Sequence, residues 1–243
     1  MKLDRARLTL IISPHPDDLA FSIGGTILKG RRSTGKLAVT VFTRSSYGPF
    51  GCEGLSTEQI SARRRDEDRR FFKTVGIPYV HLDFPDTTLR GYPNFESARE
   101  KERASDDPIF PTVRDTLRNL AELIGVESVI LPLGVGNHID HLISRDALRF
   151  PKQGWNYIYY EDVPYTTGFS LTEIDELARR VDAELRPFYT RIRDVISIKM
   201  RNLRLYASQV GKEEINLAMA HCKRLGPREQ PAERIWSCRR FEF

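Results

Sequence analysis

The stretch "LIISPHPDDLAFSIGGTI", residues 10–27, joins an apolar run to a group of ionisable side chains. The β-forming residues 10–12 stop abruptly, and His15, Asp17 and Asp18 follow within a few positions. This order is typical of a buried strand that leads into a helix. Because removing imidazole and carboxylate groups from water costs free energy unless they are bonded, the three side chains need partners. They indicate either a helix cap or a functional site.

Strand-like and helix-like segments alternate along the chain, which predicts an α/β protein: a Rossmann-like, three-layer fold with a mostly parallel sheet. In such sheets ligands bind at the carboxyl ends of the strands, where we expect the active site. A long polar loop is predicted at 85–110. Strands are predicted at 8–13, 36–43, 78–84, 128–133, 155–160 and 234–240, and helices at about 21–32, 56–76, 112–125, 141–150, 194–210 and 212–226.

Composition and charge narrow the possible functions. No apolar run approaches the length of a membrane span, and the apolar stretch near the N-terminus is too short for a signal peptide, so a cytoplasmic protein is predicted. The three cysteines form no CxxC pair, so neither a disulfide framework nor a thiolate zinc site is expected. The net charge of +5 mildly favours an anionic group on the substrate. Nucleic-acid binding is not predicted, because the basic residues at 62–70 are interleaved with acids.

A second polar cluster, "NHIDH" at 137–141, follows the strand predicted at 128–133. Taken singly, each cluster has an ordinary structural interpretation as a helix cap, here with surface histidines. Together they are stronger evidence of function, because the predicted topology brings both loops to one edge of the sheet. Two histidines and a carboxylate are donors that suit a hydrolytic zinc site. His81 and His221 lie outside both clusters and are interpreted as structural.

The spacing within the first cluster separates two tasks. His15 and Asp18 are three residues apart, so one tight turn can direct both at a single ion. Asp17 projects differently and is available to act on a water molecule. Metal-assisted hydrolysis requires this division of labour, and the spacing therefore suggests a mononuclear hydrolase.

The two motifs resemble those of the PIG-L (LmbE-like) N-acetylglucosaminyl deacetylases. The signatures of that family are (P/A)HPDD after the first strand and HxDH after a later one, and this chain has them at 14–18 and 138–141. The resemblance spans nearly the whole chain. It includes Gly24-Gly25-Thr26, Arg64 with Glu67 in an R-x-x-E helix, "LDFPD" at 82–86 and "KMRNLRLYASQ" at 199–209. The chain departs from the pattern at Leu19, where many members have glutamate, and this bears on the substrate subclass.

The resemblance implies that residues 1–243 form a single deacetylase domain. Its expected reaction is removal of an acetyl group from an N-acetylated, GlcNAc-type sugar conjugate by metal-activated water. The expected metal is Zn2+, with Fe2+ or another divalent ion left open. His15, Asp18 and His141 would bind the metal, and Asp17 would be the general base.

The same resemblance assigns four further residues. His138 would assist the tetrahedral intermediate or protonate the leaving amine, and Asp140 would orient His138 or balance its charge. Arg64 and Asp86 would contact sugar hydroxyls. The expected partner is a small-molecule N-acetyl sugar conjugate, and a homo-oligomer stays open. The segment "YYEDVPY" at 159–165 is interpreted either as a sugar-site wall or as an ordinary strand end.

Three alternatives use the same residues. A non-haem iron enzyme with a His/Asp/His site would show iron-supported, oxygen-dependent turnover, although such sites usually occur on jelly rolls. A Rossmann-type binding module would bind a nucleotide without metal, but the GxGxxG pattern is absent. A catalytically idle, sugar-binding relative is the third, and the intact Asp17 argues mildly against it.

Overall fold

The computed structural model describes residues 8–30, 35–149, 154–241 and 243. Seven strands form one sheet in the order β3-β2-β1-β4-β5-β7-β6, and the first five in this order are parallel. Strand β7 is antiparallel to both of its neighbours. The strands are β1 (Leu8–Ser13), β2 (Lys36–Arg44), β3 (Tyr79–Pro85), β4 (Val126–Pro132), β5 (Asn156–Tyr160), β6 (Arg186–Arg191) and β7 (Ala232–Ser237).

Helices cover both faces of this sheet, so the predicted three-layer α/β fold is confirmed. Alternation within the central strand separates the layers, because Leu10 and Ile12 belong to one core cluster and Ile11 to the other. The helices are α1 (Asp18–Ser22), α2 (Gly24–Lys29), α3 (Thr57–Val75), α4 (Phe110–Ile124), α5 (Ile139–Arg149), α6 (Leu171–Val181), α7 (Ile196–Leu203) and α8 (Lys212–Leu225).

The topology places two loops side by side. The chain leaves β1 toward β2 on one side and returns to β4 on the other side of β1. The carboxyl ends of β1 and β4 therefore lie at the topological switch point, where a crevice opens in sheets of this kind. The loop between β3 and α4 contains only short 3-10 turns in place of longer helices, as the polar composition of 85–110 predicts.

The first predicted helix is wrong in detail, because the chain forms two short helices instead of one. The break lies at Ile23 (φ −127°, ψ 18°). The buried Glu233 carboxylate accepts hydrogen bonds from the backbone N–H of Gly25 (2.9 Å) and Thr26 (2.6 Å). A carboxylate brought from the far end of the chain thus caps a new helix start, which no local pattern shows. The predicted ends of two helices, at Arg32 and at Phe150, lie outside the described residues.

The two elements that the sequence interpretation omits are α6 and β6. Their sequence does carry a signal, because Ser170 and Glu173 form a capping box. The buried residues of α6, which are Ile174, Ala178 and Val181, also keep helical spacing. Within the described ranges, no helix is both long enough and apolar enough to cross a membrane.

Candidate metal centre at the ends of β1 and β4

The loop after β1 is closed by its own polar groups. The hydroxyl of Ser13 donates to the carbonyl of His15 (2.7 Å), and the N–H of His15 donates to Asp18 Oδ2 (2.7 Å). Asp17 precedes α1 with a φ of 104°, a conformation that L residues rarely adopt, and its side chain makes no capping bond. The helix-cap interpretation of Asp17 is therefore wrong. Strained backbone of this kind is held where the surrounding structure fixes a side chain for another task.

The loop after β4 reaches the same edge of the sheet. A carboxylate beyond β5 holds it in place, because Asp162 Oδ2 accepts from the N–H groups of Gly134 (2.8 Å) and Val135 (2.9 Å). Its other oxygen bonds His141 Nδ1 at 2.6 Å. Asp162 thus fixes both the loop and the orientation of His141. The sequence interpretation had placed Asp162 only in a strand end or a sugar-site wall.

Three donor atoms converge between the two loops. Asp18 Oδ2 lies 3.4 Å from His15 Nδ1 and 3.5 Å from His141 Nε2. The ligand atoms of His15, Asp18 and His141 all lie within 4.8 Å of one another. His141 Nε2 is buried and has no hydrogen-bond partner among the described residues. A buried nitrogen facing a carboxylate and a second imidazole fits a divalent cation, so the donor set suits the predicted metal.

Each histidine of this set is held from behind by a carboxylate. Asp140 Oδ2 lies 2.8 Å from His15 Nε2, as Asp162 Oδ1 lies 2.6 Å from His141 Nδ1. Carboxylates in this position select the tautomer and ring orientation of metal-binding histidines. A second group of donors, which adds His138 and Asp140 to His15, is less suited, because the Asp140 carboxylate is already paired with Arg90 (2.7 Å).

The position of Asp140 differs from the predicted one. The sequence interpretation placed its carboxylate against His138, but that carboxylate contacts His15 and Arg90. Only the backbone N–H of Asp140 reaches His138, at Nδ1 (3.3 Å). The reason is helical geometry, since side chains two residues apart do not face each other.

Burial and neighbouring charge shift the pKa values of the site. For His15, burial opposes protonation, but the carboxylates of Asp140 and Asp18 raise its pKa to about 10. Burial lowers the pKa of His138 to about 3. Burial and the charge of Asp18 raise the pKa of Asp17 well above its usual range. Asp140 has a pKa below its usual range, since His15 and Arg90 outweigh the effect of burial.

A cavity of about 620 Å3 opens directly over these groups. Arg64 and Asp86, predicted to contact the sugar, both line it and form an ion pair with N···O 3.3 Å. Tyr165 forms part of the wall, where its ring is parallel to His138 and edge-on to His141. The lining consists of His15, Asp17, Asp18, Phe21, Ser46, Tyr47, Arg64, Asp86, Thr87, Thr88, Tyr92, Pro93, Asn94, Phe95, His138, Pro164, Tyr165, Gln209 and Glu214.

Sequence reasoning missed several members of the site. Glu214, which lines the cavity, and Arg90, which pairs with Asp140, carried no local signal, because segments far apart in the chain bring them to the site. Gln209 lies in the family-like segment at 199–209, but no role was predicted for it. The two other histidines lie in internal hydrogen bonds, His81 Nε2 with Asp68 Oδ2 and His221 Nε2 with Glu161 Oε2, each at 3.0 Å. This agrees with their interpretation as structural.

Comparison with models of known protein families shows to which family this chain belongs. The family model described as "PIG-L: GlcNAc-PI de-N-acetylase" matches residues 10–149, more than half of the chain. This chain belongs to the PIG-L family. The resemblance drawn from the two histidine motifs is therefore confirmed, and so is the enzyme class, an N-deacetylase.

Individual relatives match most of this chain. The 2'-N-acetylparomamine deacetylase of Streptomyces fradiae is 32% identical over 232 residues, which are 93% of this chain and 82% of the relative. The diacetylchitobiose deacetylase of Thermococcus kodakarensis is 28% identical, with 82% and 69% covered. The structure of a zinc-inhibited teicoplanin deacetylase has the same fold, with a TM-score of 0.73, 22% identity and coverage of 94% and 96%.

Proposed function

We propose that this protein hydrolyses the acetamide of an N-acetylated amino sugar within a larger conjugate, and that a divalent metal held by His15, Asp18 and His141 is required. The convergence of these three donors beneath the cavity carries the proposal. The relatives that are named for their substrates act on N-acetylated sugar conjugates, which supports the substrate class.

Zinc is the proposed metal, because two imidazoles and one carboxylate form a donor set that hydrolytic zinc sites use. A structural relative described in a zinc-inhibited form shows that zinc affects at least one member of this fold. A divalent ion held there supplies a Lewis acid for the amide carbonyl.

Asp17 is the proposed general base. It lines the cavity beside the metal ligands, and its raised pKa makes the carboxylate a better proton acceptor near neutral pH. It takes a proton from the attacking water, and the same proton is then available for the departing amine. Acetate and the free amino sugar are the products.

His138 is proposed to stabilise the developing oxyanion as a neutral donor. The N–H of Asp140 points at His138 Nδ1 (3.3 Å), so the ring proton is placed on Nε2. The low pKa of His138, about 3, keeps the imidazole uncharged near neutral pH. A neutral N–H aimed at the carbonyl oxygen contributes most where charge develops in the transition state.

The first test compares metal content and acetate release in matched variants. We expect about one metal ion per chain in the wild type, and loss of both metal and acetate release in Asp18→Asn and His141→Asn. Asp66→Asn, a partly exposed change on α3 that lies outside the cavity lining, serves as the control and should retain both. Absence of metal from the wild type after metal addition, or acetate release by metal-free variants, would contradict the proposal.

Asp17→Asn separates catalysis from metal binding. We expect it to retain the metal and to lose acetate release by a factor on the order of 10^2–10^4, because it removes the proton acceptor but no ligand.

Oxygen dependence tests the iron alternative. The kcat of the wild-type protein measured under anaerobic conditions should match the kcat measured in air. Oxygen-dependent turnover would instead support the non-haem iron alternative.

A further inference from the structure

Glu214 lies on the cavity wall without a cation to balance its charge. It is in the first turn of α8, where Oε2 accepts from the N–H of Gly211 (2.8 Å). Within the described part of the chain, Glu214 forms no ion pair, and Oε1 accepts no hydrogen bond. The residue is half-buried and lines the cavity.

A second acceptor without a partner lines the same cavity. Gln209 is 5% exposed, and its Nε2 donates to Glu67 Oε2 at 3.4 Å. Its Oε1 is buried and finds no donor among the described residues. Because an unsatisfied buried acceptor is costly, this carbonyl oxygen is suited to a donor on the bound substrate.

Apart from Asp17, the proposed general base, the other charged groups of the cavity face partners of opposite charge or the metal site. Arg64 is paired with Asp86, and Asp18 faces two histidines in the metal site. Among the described lining residues there is no lysine, and Arg64 is the single arginine. The net charge of +5 therefore does not describe the cavity, where Glu214 contributes negative charge beyond the metal site.

We propose that the substrate carries an ammonium group on the part beyond its N-acetyl sugar, and that Glu214 and Gln209 bind this group. The inference rests on the proposed function. Two acceptor oxygens, Glu214 Oε1 and Gln209 Oε1, have no donor among the described residues and suit a cation, whereas an anionic group would meet Glu214 with like charge. Tyr47, 50% exposed at the cavity edge, adds an aromatic ring over which a sugar or a cation packs.

The test uses substrate pairs that differ by one group. The 2-aminoethyl and 2-hydroxyethyl glycosides of N-acetylglucosamine form one pair. N-acetylglucosaminyl-glucosamine and N-acetylglucosaminyl-glucose form the other, so that each pair compares an ammonium with a hydroxyl. We expect kcat/KM for acetate release to be higher for at least one amine-bearing substrate by a factor on the order of ten. The carboxymethyl glycoside should be the poorest substrate.

Glu214→Gln tests the residue itself. Glutamine also serves at this position of a capping box, so the helix start is preserved. We expect the amine-to-hydroxyl ratio of kcat/KM to fall to near one. Glu213→Gln removes the same charge from the same turn but does not line the cavity, and it should keep the wild-type ratio.

The outcomes separate the two proposals. If no glycoside releases acetate, the proposed function fails. If the hydroxyl substrates are hydrolysed but neither amine is preferred, or if Glu214→Gln keeps the preference, the ammonium site is overturned while the hydrolase stands. A ratio that falls equally in Glu213→Gln would also overturn it, because the preference would then come from general surface charge.

Discussion

His141 and His221 are both buried histidines that bond a buried carboxylate, yet they lie in different environments. His141 uses Nδ1 for Asp162 (2.6 Å), and its Nε2 has no partner in the described residues. His221 uses Nε2 for Glu161 (3.0 Å), and its Nδ1 accepts from Arg224 Nε (3.0 Å). One imidazole has a donor atom left for a ligand, and the other has none.

The two carboxylates are neighbours in the sequence. Glu161 and Asp162 follow β5, and they serve different histidines in different networks. Both carboxylate oxygens of Glu161 are used, because His221 bonds Oε2 and because Arg234 Nε and Trp236 Nε1 donate to Oε1. The comparison teaches that a His–carboxylate pair alone does not indicate a metal site. A histidine in a stabilising network has both ring nitrogens bonded, whereas a candidate metal ligand has one ring nitrogen without a partner among the described residues.

The substitution expected to change stability most removes Glu161 from its contacts with His221, Arg234 and Trp236. Glu161→Ala removes the carboxylate that these three side chains bond, and it leaves the buried Arg234 guanidinium with Asp175 alone. We therefore expect a loss of about 3–5 kcal/mol in the free energy of unfolding, measured by urea denaturation. Metal content per folded molecule should be unchanged. Glu176→Ala, an exposed change on α6, is the control and should stay within about 0.5 kcal/mol. Loss of metal without loss of stability would contradict the assignment of Glu161 to a stabilising network and not to the metal site.

The next prediction concerns Asp162 and His141, the pair in which His141 Nε2 has no partner among the described residues. Asp162→Asn keeps an oxygen for the N–H groups of Gly134 and Val135, but it removes the charge that holds the proton of His141 on Nδ1. The amide can donate to Nδ1 instead, which moves the proton to Nε2 and blocks the ligand atom. We expect metal affinity to fall roughly 10–100-fold, measured by competition with a chelator. Equal affinity in Asp162→Asn and in the exposed control Asp115→Asn would refute this role.

These two carboxylates also show where sequence prediction ends. The convergence of the proposed metal ligands was predictable, because His15 and Asp18 belong to one turn and because strand order brings His141 to the same edge. The side chains behind them were not. Asp140 was assigned to the wrong histidine and Asp162 to no histidine, since each partner is set by packing between loops far apart in sequence.

The secondary structure shows the same limit on prediction: elements encoded by local sequence are predictable, and features set by distant contacts are not. Helix α3, with its Ser56 capping box and Gly76 at its end, is encoded locally and was predicted correctly. The helix predicted at 194–210 was too long, because α7 ends at Leu203. The break at Ile23 was not predictable, because it depends on the Glu233 carboxylate about 200 residues later. Helix α6 was encoded in its capping box but was not recognised.

The smallest effect is a change in pH dependence. Burial lowers the pKa of His221, despite its bond to Glu161, so the folded protein keeps this histidine neutral where the unfolded chain binds a proton. Stability from this residue is therefore complete above its ordinary pKa of 6.5 and is lost as the pH falls below it. Gln at 221 can donate to Glu161 and accept from Arg224 without titrating.

We therefore expect His221→Gln to flatten the fall in unfolding free energy between about pH 6.5 and 5, by at most about 1.4 kcal/mol per pH unit. Glu161 titrates lower: its pKa, held down by His221 and Arg234 against the effect of burial, lies below the ordinary value of 4.5. Its contribution is present above that value and is lost only in stronger acid, so the low-pH part of the curve should persist in the variant. Urea titrations of both proteins across this range measure the difference. If the unfolding free energies of the wild type and His221→Gln run parallel from pH 6.5 to 5, the prediction is wrong. His221 would then be protonated in the folded protein, as a cation beside Glu161.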